Sequence, residues 1–441
     1  MWKFLMVTNW VLGILSLFPL SSYGAESPGS LTLTNAIETA RNNSPELKKV
    51  ELAADSSSWS QLEALSEHLP HLSVNGTHFL GAKYALLGVV FGGSPIRFPS
   101  AFPQTGIDIE ASILLFDGFG AINRYRASLL ESEAAQFELN YAKFKLEEWI
   151  QVKFEQVLAA QEFAKVADQN IQTLEQHLQL ARASQHAGFS TNIDVLRIES
   201  QLEEARAEKI LTSDNVAIAR QALNEAMGVD KDERSLEGVL LFPDRNKIPA
   251  NLTLDLSQRQ DLQAQSHREQ AQDRMSSAAG AFLFPRVTFF GVEQFYKYGN
   301  FDPVILPNDS FQNAYSFGFR LNWNLFDGGA AIARKARTGN MAKTTSENSR
   351  KLLISSPNEF DIWKRKYIYN AALFEARKRS VEKSAESVRL ATLAVKAGSK
   401  TNSEALDAEL ELFRARAGVV RAQLDASEAL ANLELAVGHR L

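Results

Sequence analysis

The chain has 441 residues, a formal net charge of −5 and no cysteine, with 45% hydrophobic and 22% charged side chains. Without cysteine there is no disulfide framework, no zinc-thiolate site and no thiol for a lipid anchor. The acidic balance gives no reason to expect nucleic-acid binding.

Met1 to Gly24 carry one charge, Lys3, then an apolar run from Val11 to Leu20 and a small-residue end at Ser22-Tyr23-Gly24. This pattern predicts a secretory signal peptide over residues 1–24. A membrane anchor is the alternative, but the run is about half the length that spans a bilayer. Loss of Lys3 with the leader takes the net charge from −5 to −6. Export without cysteine fits a periplasmic or outer-membrane product. After the leader no apolar run is long enough for a spanning helix, so any membrane segment has to be strand.

The rest of the chain is a tandem duplication. Leu115-Phe116-Asp117-Gly118 recurs as Leu325-Phe326-Asp327-Gly328, a displacement of 210 positions, and at the same offset Ala187-Gly188 and Thr191-Asn192 meet Ala397-Gly398 and Thr401-Asn402. Repeats are sought first because missing them miscalls the whole fold. The expected organisation is a first repeat over 25–228, an equatorial linker over 229–251 with Pro243 and Pro249, and a second repeat over 252–441. Each repeat reads as a helix, a β-hairpin and a long helical hairpin.

Before the first strands stand His68 and Pro70; the strands start after Pro70 and, in the second copy, after Pro285, now at an offset of 215. The five extra residues of the first hairpin are assigned to a loop around Tyr84 to Gln104. In the returning strands Ile107, Ile109, Ala111 and Ile113 alternate with Asp108, Glu110 and Ser112. More sharply, Tyr315, Phe317, Phe319, Leu321 and Trp323 alternate with Ser316, Gly318, Arg320 and Asn322. A period of two with one apolar face suits lipid on one side and water on the other, and a half-buried soluble sheet is the competing reading. Aromatic density at Phe284, Phe289, Phe290, Tyr296, Tyr298, Phe301 and Phe311 favours a membrane-interface girdle. One chain supplies four such strands, whereas the smallest membrane barrels need about eight, so a barrel has to be shared between subunits.

From Gly118 to Gly188 no proline occurs, and Phe137, Tyr141 and Phe144 fall at helical spacing. Such a rod suits side-by-side packing with others in coiled-coil fashion. Asp117 and Asp327 stand where strand hands over to helix and can accept first-turn amides, while Gly118 and Gly328 permit the bend. Gly188 and Gly398 end the long helices, and Thr191 and Thr401 are placed to cap the returning ones. In the second long helix Pro357 predicts a kink, or a break at Ser355-Ser356-Pro357-Asn358. Glu404 and Asp407 lie three apart on one helix face, which reads either as part of an anionic ring in an oligomer or as an ordinary solvated helix start. His68, His71 and His78 cluster in sequence without the carboxylates or thiolates of a metal site. No phosphate-cradling loop, nucleophile elbow or zinc helix signature occurs, so no enzyme and no cofactor is expected.

The duplicated Leu-Phe-Asp-Gly strand ends and the tips Ala187 to Asp194 and Ala397 to Glu404 resemble the TolC-like outer-membrane efflux proteins. Asn43-Ser44-Pro45-Glu46-Leu47 and Gln258-Arg259-Gln260-Asp261-Leu262 resemble that family's Pro-Asp-Leu segment. The resemblance spans nearly all of the mature chain. It implies an α+β membrane protein, a homotrimer with a twelve-stranded outer-membrane barrel continued by a periplasmic helical barrel. It implies an exit channel of a tripartite efflux or type I secretion system, docked on a periplasmic adaptor (membrane fusion) protein and an inner-membrane pump or ABC transporter. Carried over residue by residue, it puts a constriction at Lys400, Glu404 and Asp407, with Asp194 as acidic partner of Lys400 and Val395 where the family archetype has a gate tyrosine. The rival from another class is a soluble periplasmic coiled-coil adaptor or scaffold.

Overall fold

The computed structural model describes residues 29–80, 85–100, 103–188, 190–249, 252–297, 310–397 and 399–441. The expected signal peptide, Tyr298, Phe301 and the tip glycine Gly398 lie outside them.

Helix α1 (Leu33–Asn43) stops at Ser44, whose hydroxyl accepts from the Leu47 amide and so opens α2 (Pro45–Ser66) with Pro45 at its first position. The chain then crosses as β1 (His71–His78), turns back through β2 (Ala85–Phe91) and β3 (Ser94–Ser100), and returns as β4 (Thr105–Phe116). The two middle strands correct the expectation of a loop between Tyr84 and Gln104. Gly92 and Gly93 hold φ of +58° and +84°, a two-residue reversal that glycine adopts without steric cost. The two arms pair antiparallel, with Val89 opposite Ile96 in the register.

Helix α3 (Gly120–His186) is 67 residues long, about 100 Å at 1.5 Å per residue, and α4 (Asn192–Met227) folds back along it. The second copy repeats the plan. Helix α5 (Gln260–Ala278) leads to β5 (Arg286–Lys297) and β6 (Gln312–Asn322), and α6 (Ala330–Lys396) and α7 (Asn402–Val437) form the second helical hairpin.

Helix α6 runs unbroken through Pro357, which rules out the break that was one of the two expectations for Ser355 to Asn358. The proline removes the amide that would bond the Leu353 carbonyl. On either side, Ser356 Oγ donates to the Leu352 carbonyl at 2.7 Å and Asn358 Nδ2 to that of Ile354 at 3.3 Å. Neither bond reaches the Leu353 carbonyl, so packing is what keeps the turn helical here, with Ser356 fully buried.

One antiparallel sheet runs in the order β1-β4-β5-β6. Its two hairpins share a register: His71 faces Ser112 and Arg286 faces Asn322, and shifting His71 by 215 and Ser112 by 210 turns the first pair into the second. Register carries Val74, Ile109, Phe289 and Phe319 to one face and Asn75, Glu110, Gln294 and Arg320 to the other. On the polar face Arg320 reaches across β5 to Glu110 at 3.0 Å, its guanidinium 4.5 Å from the centre of the Phe290 ring. On the apolar face Tyr315, Phe317 and Phe319 are 71 to 76% exposed. A run of aromatics this open is matched to lipid rather than to water.

The main core gathers where α1, the linker and both hairpins meet. Leu31, Ile150, Phe154, Leu223 and Met227 pack together, and Phe360, Tyr367, Leu430 and Leu433 form the counterpart in the second copy. The linker is strapped down by the Leu31 amide donating to Ser235 and by Tyr367 Oη donating to Asp244, at 2.8 and 2.9 Å. Among the described residues no helix is long and apolar enough to cross a membrane.

Candidate functional site

The two tips are built by the same local chemistry. Thr191 caps α4 and Thr401 caps α7, each with a reciprocal box in which the acid three residues on, Asp194 or Glu404, accepts the capping residue's own amide at 3.0 Å. At the end of α3 Gly188 takes φ +79°, the left-handed turn that releases the chain from the helix. At the end of α6 the Ser399 amide and hydroxyl both donate to the Ala394 carbonyl, at 2.9 and 3.0 Å. Val395, half-buried on the last turn of α6, brings no hydroxyl to this junction.

Asp194 spends its carboxylate on the cap. It accepts from the Thr191 amide and hydroxyl and from Ser190 Oγ, and the backbone bond to Thr191 holds its pKa below the usual range. Glu404 is likewise held low, first by the Thr401 amide and then by Lys400, whose Nζ lies 3.5 Å away. Within the protomer, therefore, Lys400 meets Glu404 rather than Asp194. The expected Lys400–Asp194 tie is not made inside one protomer, and since Glu404 caps its helix as Asp194 does, capping alone does not choose the lysine's partner. Asp407 is exposed one turn beyond Glu404.

The bond that joins the two tips runs between residues the sequence reading passed over, Arg197 of α4 donating to Ser403 Oγ of α7. Behind it Leu174, Val195, Ile198, Leu202 and Leu406 form a small apolar cluster between the hairpins, with His177 Nε2 and Glu409 3.7 Å apart beside it. The signal lay in the duplication. At an offset of 210 Ser190 corresponds to Lys400, Asp194 to Glu404, and Arg197 to Asp407. The two tips keep one backbone and differ in charge.

At the other end of the rods Asp117 and Asp327 accept the amides of Ala121 and Ala331, both at 2.8 Å, across Gly118 and Gly328 at φ +72°. Arg124 is clamped there by Glu67 and Asp117 at 2.5 and 3.1 Å, which lowers the Glu67 pKa. Phe119 is itself left-handed at φ +65°, where the second copy has Gly329. Among the described residues no group of histidines and carboxylates could hold a metal ion. His68 stacks edge-on against Tyr125 and His78 bonds Thr105, so the histidines near the first strand point to different neighbours.

Midway along the rods, Glu148 of α3 is fully buried against Glu434 of α7. Burial first, and then the neighbouring carboxylate, push Glu148 up to about 7. Arg440 from the chain end donates to it at 3.2 Å and to Glu147 at 3.1 Å, and the Leu441 amide donates to Glu434 at 3.0 Å.

A sheet that is apolar on one face, prolonged by twin hairpins with capped tips, is the TolC-like fold of outer-membrane channels. The chain belongs to the outer membrane efflux protein family, whose sequence profile matches residues 36–229 and 252–439. It is an efflux channel protein of the outer membrane, with its helices extending into the periplasm. No protein of curated function matches it in sequence. Similar solved structures include CusC, at 16% identity and TM-score 0.78, covering 92% of each chain. The outer membrane protein VceC of Vibrio cholerae aligns at 16% identity and TM-score 0.76, over 92% of this chain and 96% of that one. The open state of the MtrE channel of Neisseria gonorrhoeae aligns at 18% identity and TM-score 0.73, over 92% and 89%.

Proposed function

We propose that the chain assembles as a homotrimer in which three four-stranded sheets close one twelve-stranded barrel. This trimer is the passive exit duct of a tripartite efflux or type I secretion system. An inner-membrane pump or ABC transporter supplies the energy, and a periplasmic adaptor docks on the tips around Gly188, Thr191, Gly398 and Thr401. The observation that carries the reading is the open sheet, whose apolar face suits hydrocarbon while its outer strands β1 and β6 keep free edges. A free edge in lipid leaves backbone groups unpaired at several kcal/mol each, which closure with like copies removes.

The gate lies at the tips. Three-fold repetition brings Glu404 and Asp407 into an anionic ring, Lys400 neutralises part of it, and Asp194 holds the first tip rigid through its cap. Such a ring favours cations. Single-channel recording of the purified protein in planar bilayers tests the assignment. Lys400→Ala is expected to change conductance and to strengthen cation preference, and an unchanged channel would remove Lys400 from the gate.

A further inference from the structure

The duplication holds more than a resemblance between halves, because the contact from first repeat to second inside one chain is a template for the contact from second repeat to the next copy's first. The hairpin registers already obey the two offsets, 210 for the later strand and 215 for the earlier one. Applying the same offsets to the β4–β5 pairing converts each pair into one between β6 and β1. Ile109 against Glu293 becomes Phe319 against His78, Ala111 against Gly291 becomes Leu321 against Gly76, and Ser112 against Phe290 becomes Asn322 against Asn75. Face parity agrees without adjustment, since Gly76 already shares the apolar face with Ile107 and Asn75 the polar face with Asp108. A one-residue slip would turn the apolar side chains of one strand toward the polar side of the other.

The junction below the sheet points the same way. A Cβ on Gly118 would lie 2.7 Å from Phe284 and 2.9 Å from the Ala281 carbonyl, whereas Gly328, with the same φ, has open space above it in its own chain. The residue 215 positions before Phe284 is Leu69, half exposed at the end of α2. Arg124 borders a cavity of about 620 Å³ together with Met275 and Ala278, and Arg334 borders it from the opposite repeat. The offsets place Arg334 across a matching cleft from Ser60 and Glu63 of the next copy. Inside its own chain Arg334 has no equivalent of the Glu67 clamp, because the position matching Glu67 is Phe282. Arg334 and Glu63 are both exposed.

We propose that the surface formed by β6 and the start of α6 binds a second copy of this chain in one register. In it Asn322 lies opposite Asn75, Leu69 of the neighbour covers Gly328, and Glu63 of the neighbour pairs with Arg334. The proposal rests on the trimeric reading above and adds which residues meet.

The chain has no cysteine, so introduced pairs report without background. Directly opposed strand residues have Cα atoms about 4.5–5.5 Å apart, inside the disulfide range of about 4.4–6.8 Å, while diagonal neighbours lie at about 7–8 Å. On oxidation, Asn322→Cys combined with Asn75→Cys is expected to yield covalent trimers on a non-reducing gel. Asn322→Cys with Ser73→Cys or Thr77→Cys is expected to leave mostly monomer. Preferential cross-linking through position 73 or 77 overturns the register and leaves the trimer standing. Light scattering of the unmodified protein in detergent is read separately, and a monomer there overturns the trimer itself. For the helical part, Glu63→Arg and Arg334→Glu should each lose the gel-stable trimer and together regain it. A double variant no better than either single one overturns the Arg334–Glu63 contact, whatever the cysteine pairs report.

Discussion

Replacing Glu148 by glutamine isolates a single titration in the middle of the rods. Glu148 is sealed between α3 and α7 with Glu434, Glu147 and Arg440 around it, and its folded pKa of about 7 stands above the ordinary 4.5. A carboxyl that holds its proton more tightly when folded contributes its full stabilisation below about pH 4.5 and loses it as the pH rises through 7. The gap corresponds to roughly 3 kcal/mol. Protonated, Glu148 can donate to Glu434; ionised, the two repel in a dry site. A glutamine amide donates at every pH and its oxygen still accepts from Arg440. Glu148→Gln should therefore match the parent in heat stability near about pH 5 and exceed it near about pH 8, as followed by circular dichroism at a fixed scan rate. Parallel pH curves for the two proteins would refute a raised Glu148 pKa.

Pro357→Ala restores the missing amide in α6. It should raise heat stability by up to about 3 kcal/mol, with conductance unchanged. Thr191→Ala and Thr401→Ala each remove a helix cap, costing about 1 kcal/mol locally. Hydrogen exchange should quicken in the first turns of α4 and α7 while the amides of Ile150 and Leu430 keep their protection.

The repeats, the lipid-facing alternation and the capped tips were legible because each rests on short-range rules: a fixed offset, a period of two, a threonine before a helix. What the sequence hid depends on competition between partners. Lys400 meets Glu404 because the two lie four residues apart on one tip, a local contact that the family pattern did not weigh. Pro357 left a kink and a break both open because local propensity does not see the packing that keeps α6 continuous, with Ser356 fully buried beside it. The β2–β3 hairpin was missed because prolines at 95 and 99 argue against strand, yet an outlying two-stranded ribbon leaves its edges free to accommodate them. The Glu148–Glu434 pair brings together residues 286 positions apart, and no local pattern announces it.

Glu110 and Arg320 occupy the same place in the two repeats, yet they carry opposite signs and clasp each other across β5. Had the copies stayed identical, a closed barrel would present six like charges at one level of its bore. In the proposed trimer the divergence of the two copies would leave three neutral ion pairs in place of that ring, making the passage polar at this height without repelling itself or sorting what passes by its sign.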